Sequence, residues 1–207
     1  MKSRLILTVA LTALTVAGSQ LATPGQVAAD DTGDIAGKLT GNKKYFRDAI
    51  VYIEKAPGQN KPPAKPVEMD QRNHKFVPAV LPVVRGTTVK FLNSDHEAHN
   101  VFSPDNEKYD LGNWPGGESR DYTFKQLGVY TQLCRLHPSM IGYVVVLQNP
   151  YFAQVDTSDG SFRIRDVPPG KYQVKAWQAR GEGGPTEVVV EADEKANVDI
   201  PIARPQR

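Results

Sequence analysis

The chain of 207 residues has one cysteine, four histidines and two tryptophans. A single cysteine, Cys134, excludes an intramolecular disulfide framework and any multi-cysteine zinc or iron–sulfur site within one chain. Charge of one sign is missing too. The 25 Lys and Arg nearly balance 23 Asp and Glu, and without a basic block there is no footprint for nucleic acid. No stretch of ten or more residues keeps a 3.6-residue apolar period, so amphipathic helices are not expected. What is plentiful is turn chemistry: 17 glycines and 16 prolines lean toward a fold of many short strands. The 40% hydrophobic and 23% charged content is that of an ordinary globular chain, not a disordered, collagenous or multi-span membrane one.

The longest apolar run, residues 5–17, follows Lys2 and Arg4 and precedes small residues ending in Val27-Ala28-Ala29. Thirteen residues are short for a bilayer span, and the pattern is that of a secretory signal peptide over residues 1–29. No cysteine lies near the cut to carry a lipid. The expectation is an exported, periplasmic protein with a signal helix and no integral membrane span after cleavage. The remaining 178 residues have zero formal charge and one unpaired thiol, which in an oxidising compartment needs a purpose or burial.

Short strand-like runs lie at 35–39 and 49–53, followed by a Pro-rich linker at 55–65. Residues 66–148 hold a dense series of candidate strands at 67–69, 76–84, 87–92, 122–124, 128–133 and 142–147, with a polar loop from Ser103 to Glu118. Residues 151–203 hold another series around the turns Asp159-Gly160 and Pro168-Pro169-Gly170. The 22 residues of 33–54 cannot bury a core alone. They are expected to join 151–203 in a discontinuous small sandwich, with 66–148 inserted. The rival is that they add edge strands to the middle region.

Chemistry concentrates in Cys134-Arg135-Leu136-His137-Pro138-Ser139-Met140. A thiolate, an imidazole and a thioether at this spacing are soft or borderline donors, unlike the oxygen ligands of Mg²⁺ or Ca²⁺. Another donor is needed, and His96 and His99 follow the strand at 87–92. Two histidines, a cysteine and a weak axial methionine are the ligands of a blue-copper site, a compromise between the preferences of Cu(I) and Cu(II).

Residues 66–148 resemble a cupredoxin of the amicyanin and plastocyanin-like branch. The resemblance is carried by Phe76-Val77-Pro78 and by Val84-Arg85-Gly86-Thr87-Thr88-Val89-Lys90-Phe91. It continues through Asn93, Asp95, His99-Asn100-Val101, Gly128-Val129-Tyr130 and the Cys-x2-His-Pro-x-Met loop. It implies a Greek-key sandwich with one copper ion on His99, Cys134, His137 and axial Met140. Asn100 would brace the two ligand loops. The edge of His137, framed by Leu136 and Pro138, would be the electron port. His96 falls outside the matched position and, like His74, is expected to be a solvated surface residue. Two positions depart from the pattern: Gln132 stands where an aromatic is usual, and Arg135 where a small hydroxylic residue is common.

The flanking segments resemble a carboxypeptidase regulatory-like, transthyretin-like sandwich. The residues concerned are Ile35-Ala36-Gly37, Ala49-Ile50-Val51, Asp159-Gly160-Ser161-Phe162 and Val167-Pro168-Pro169-Gly170-Lys171-Tyr172. The fold class is therefore all-β, two sandwiches in one chain. The expected function is single-electron transfer between redox proteins such as a cytochrome or a dehydrogenase. The alternatives are periplasmic copper carriage or resistance, and a metal-free structural or binding module. Four histidines are too few for a multicopper oxidase centre, and no catalytic triad or carboxylate pair stands out, so the chain is not expected to be an enzyme.

Overall fold

The computed structural model describes residues 31–58 and 60–205; the proposed signal segment lies outside them. Seventeen strands and one 3₁₀ turn at Lys43–Tyr45 make the described residues nearly all β. No helix among the described residues is long and apolar enough to cross a membrane.

The first two strands are β1 (Gly33–Gly41) and β2 (Ile50–Ile53). The next nine are β3 (Val67–Gln71), β4 (Phe76–Val77), β5 (Val80–Val84), β6 (Thr88–Asn93), β7 (His99–Ser103), β8 (Tyr109–Trp114), β9 (Ser119–Thr123), β10 (Gly128–Leu133) and β11 (Ile141–Leu147). The last six are β12 (Phe152–Gln154), β13 (Ser161–Val167), β14 (Gly170–Gln178), β15 (Gly181–Val190), β16 (Lys195–Asn197) and β17 (Ile200–Ala203).

The middle strands form two sheets, β5-β11-β10-β7-β8 and β4-β3-β6-β9. Alternation sends Met69, Val89 and Phe91 from one sheet, and Val101, Tyr130, Val144 and Val146 from the other, into one core. The pairs β3·β6 and β5·β11 are parallel, the rest antiparallel. The flanking strands form a third sheet of eight, in which β1 lies between β17 and β13, and β2 between β12 and β14. Strands from 33–54 thus pair with strands from 151–203.

Two chain segments run side by side where the sandwiches meet. Gln148 exchanges two side-chain hydrogen bonds with the Ala56 backbone, at 3.0 and 3.2 Å, and Asn149 Nδ2 donates to the Ile53 carbonyl at 2.9 Å. An apolar cluster of Ile50, Val80, Val145 and Leu147 fills the junction, with Tyr143 edge-on to Trp177 at 5.3 Å. This explains the unbroken apolar run Val144–Leu147. Strand β11 is covered on both faces, so it does not alternate.

Two sequence expectations are corrected. The stretch 76–84 is two strands, parted at Pro78 and Ala79, because proline cannot donate to a ladder. The stretch 103–118, expected to be a loop, contains β8. This edge strand pairs with β7 through a bulge near Val101, and Gly112 within it has φ +73°. A left-handed glycine and an asparagine disguised the strand as loop.

Candidate metal centre

The chemistry gathers at one end of the middle sandwich, where His99 opens β7 and the loop from Cys134 to Met140 joins β10 to β11. The loop closes on itself when the Met140 N–H donates to the His137 carbonyl at 2.9 Å. His99, Cys134 and Met140 are buried; the His137 side chain is 24% exposed.

Three donor atoms face one another. His99 Nδ1 and His137 Nδ1 are 3.0 Å apart, and Cys134 Sγ lies 4.0 and 3.9 Å from them. A point equidistant from the three atoms lies about 2.1 Å from each, within the ~2.0–2.3 Å of metal bonds to imidazole nitrogen and thiolate. The residues present therefore fit a single ion. Met140 lies in the same apolar cluster as Cys134.

Hydrogen bonds hold these donors. The Asn100 N–H points at Cys134 Sγ at 3.4 Å. The Asn100 side chain donates to Asp110 Oδ1 (2.7 Å) and the Gly112 carbonyl (2.9 Å), and accepts from the Arg135 N–H (3.3 Å). Asp110 also takes Arg135 Nε at 2.8 Å, and the Arg135 guanidinium lies over Phe102 at 4.2 Å. The Arg135 hydrogen bond, with the Gly112 N–H and Asn100, holds the Asp110 carboxyl below its usual range. Thus Arg135 closes a latch across both ligand loops. Gln132 is equally occupied. Its amide donates to the Tyr130 carbonyl at 3.0 Å and accepts from the Tyr109 hydroxyl. Burial pushes that hydroxyl's pKa up, keeping it a donor.

The outer nitrogens of both histidines meet carboxylates. His99 Nε2 is 2.8 Å from Asp95 Oδ2. Partial burial works to raise the Asp95 carboxyl, but the His74 N–H, the His99 ring and the Asn73 N–H outweigh it and hold it at about 2. His137 Nε2 is 3.2 Å from Glu97 Oε2, and Glu97 Oε1 is 2.7 Å from His74 Nε2. His74 is exposed, as expected of a surface residue, and it also packs edge-on against His137 at 4.6 Å and His99 at 5.6 Å. The reason is tertiary: the β3–β4 turn folds over the ligand end. His96 is exposed and makes none of the side-chain hydrogen bonds found among the described residues. Leu136 and Pro138 are exposed beside His137. Asp110, Asp95 and Glu97 carried no sequence signal beyond, for Asp95, its place in the Asn-x-Asp segment.

Residues 64–147 match the family of copper binding proteins of the plastocyanin/azurin type. They are a cupredoxin domain. Residues 129–198 match polysaccharide lyase family 4, domain II, overlapping the last two cupredoxin strands and running into the flanking sandwich. No curated protein sequence matches the chain. Among solved structures, a copper-containing nitrite reductase from Thermus scotoductus SA-01 is 28% identical over 45% of this chain and 25% of its own, with a TM-score of 0.39. This chain thus spans about a quarter of that enzyme. A purple cupredoxin from Nitrosopumilus maritimus is 25% identical over 39% of this chain and 98% of its own, with a TM-score of 0.36. A reduced variant of amicyanin is 24% identical over 48% of this chain and 98% of its own, with a TM-score of 0.38.

Proposed function

We propose that the protein is exported, holds one copper ion on His99, Cys134 and His137 with Met140 as a weak axial donor, and carries single electrons between redox proteins. The observation that carries this reading is the convergence of two imidazole nitrogens and one sulfur around a point at bonding distance from all three. Copper, when bound, supplies a one-electron Cu(I)/Cu(II) couple on a ligand set tolerable to both states. The chain's own part is to keep that set from moving. The Asn100 N–H holds the sulfur, Asp95 fixes the His99 ring, and the Arg135–Asp110–Asn100 latch ties the loops.

Burial of His99 and Cys134 favours an ion that stays over one exchanged as cargo, because exchange requires ligands within reach of an acceptor. The flanking sandwich, with 33–54 joined to 151–203 as a discontinuous domain, is read as a structural or binding module. The electron partner, a cytochrome or a dehydrogenase, would approach the His137 end.

The test is the visible spectrum. Protein lacking residues 1–29 is expected to develop a thiolate-to-copper charge-transfer band on addition of Cu(II). Cys134→Ser is expected to lose the band, and Met140→Leu to keep binding while shifting the reduction potential. A Cys134→Ser protein with an unaltered spectrum would refute the assignment.

A further inference from the structure

The outer edge of His137 is covered by two side chains from other segments. Glu97 spans two imidazoles with one carboxylate, 2.7 Å from His74 Nε2 and 3.2 Å from His137 Nε2. The rings of His74, His99 and His137 all meet edge-to-face, with centroids 4.6–5.6 Å apart. An isolated surface pair of this kind would contribute little, but the segment carrying His74 is itself fastened to the site. Arg72 and Lys75 close a two-residue turn with hydrogen bonds of 2.9 and 3.2 Å, and Asn73 and His74 at its tip both have positive φ, 53° and 54°. Such a turn favours glycine at its second central position. A histidine held there is a local strain of the kind that collects at functional sites. The N–H groups of Asn73 and His74 donate to the Asp95 carboxylate, which also holds His99. One turn therefore bears on both ligand histidines, through Asp95 on one side and through Glu97 on the other.

We propose that Glu97 and His74 form a cap that anchors the outer nitrogen of His137, with Glu97 a positioning residue that lowers the reduction potential of the bound ion. The proposal rests on the copper reading above. With His137 Nδ1 committed to the ion, the ring proton sits on Nε2 and is donated to Glu97, an arrangement that orients a ligand ring and raises its basicity. A negative charge one imidazole away from the ion also favours Cu(II) over Cu(I). A partner reaching this edge would meet Glu97 and His74 before His137.

The experiment compares the copper-loaded wild type with Glu97→Gln and His74→Gly, a substitution the turn geometry accommodates. Two readouts are taken: the midpoint potential, and solvent exchange of the His137 Nε2 proton in ¹H–¹⁵N spectra of the diamagnetic Cu(I) form. Glu97→Gln should raise the potential and speed proton exchange at least tenfold. His74→Gly should speed exchange by a smaller factor, and both variants should keep the charge-transfer band. Unchanged exchange and potential in Glu97→Gln would overturn the cap, and unchanged exchange in His74→Gly would remove His74 from it. A wild type without the charge-transfer band would refute the copper reading itself and the cap with it.

Discussion

The two sandwiches fill their interiors on opposite terms. In the flanking sandwich the core is apolar throughout, built on Ile35, Val51, Ile53, Ile164, Val174 and Ile200, and no buried polar side chain is found there among the described residues. The cupredoxin domain buries Gln71, Thr87, Asn93, His99, Asn100, Ser103 and Gln132. A buried polar group destabilises unless it is hydrogen-bonded. Asn100 and Gln132 have their partners, and His99 has Asp95 on one side and the facing donors on the other. The polar groups beside the candidate metal site are thus held by hydrogen bonds, whereas Gln71 Oε1 and Thr87 Oγ1 have no partner among the described residues.

The sharpest way to break this contrast is at the ligands. His99→Ala should abolish or severely weaken copper binding, while His96→Ala leaves it intact; equal losses in a copper titration would dissolve the distinction between the two histidines. Next comes the opposite core. Ile164→Ala should lower stability in denaturant unfolding by about 2–5 kcal/mol while the visible spectrum of the copper form stays the same. A changed spectrum would mean that the sandwiches are coupled. Asn100→Ala removes three side-chain hydrogen bonds, one from the Arg135 N–H across the ligand segments and two to Asp110 and Gly112 in β8. It should weaken copper affinity roughly 10–100-fold and cost about 1–3 kcal/mol, measured by competition with a chelator and by unfolding.

A smaller effect is expected at Glu107, which accepts from the Lys125 and Gln126 N–H groups and from the Tyr130 hydroxyl at 2.8–3.2 Å. Partial burial works to raise its carboxyl, but these donors outweigh it and hold it below the usual range. A carboxyl lowered on folding adds stability above its unfolded pKa of about 4.3, and that stability is lost as pH falls through the lower folded value. Glu107→Gln should therefore cost about 1–2 kcal/mol at pH 7, and the difference from wild type should shrink as the solution is acidified below that range. A difference that persists unchanged at low pH would contradict the account.

How much of this was legible in the sequence follows from how local each feature is. Cys134, His137 and Met140 sit in one loop, so their spacing is visible directly. Two upstream histidines are visible as well, and only the cupredoxin pattern, with Asn100 and Val101 after His99, separates them. The strands β1 and β2 could be read as apolar runs too short for a core of their own, which pointed to partners in 151–203, but the order of strands in the sheet is a tertiary property. Arg135 looked like a departure from the pattern, whereas it closes the latch with Asp110, which sat in a stretch read as loop. Gln132 gave no hint of the Tyr109 hydroxyl for the same reason. His74 was illegible in the strict sense. Nothing in Arg72-Asn73-His74-Lys75 indicates that the turn folds over a site whose candidate ligands lie 25 to 66 positions further along.

The account stands on one sulfur and two imidazole nitrogens sharing one ion, and X-ray absorption at the copper edge of the loaded protein tests that directly. One short copper–sulfur distance together with two imidazole nitrogens near 2 Å is the expected result. A copper shell of nitrogen and oxygen alone, with no sulfur scatterer, would contradict it.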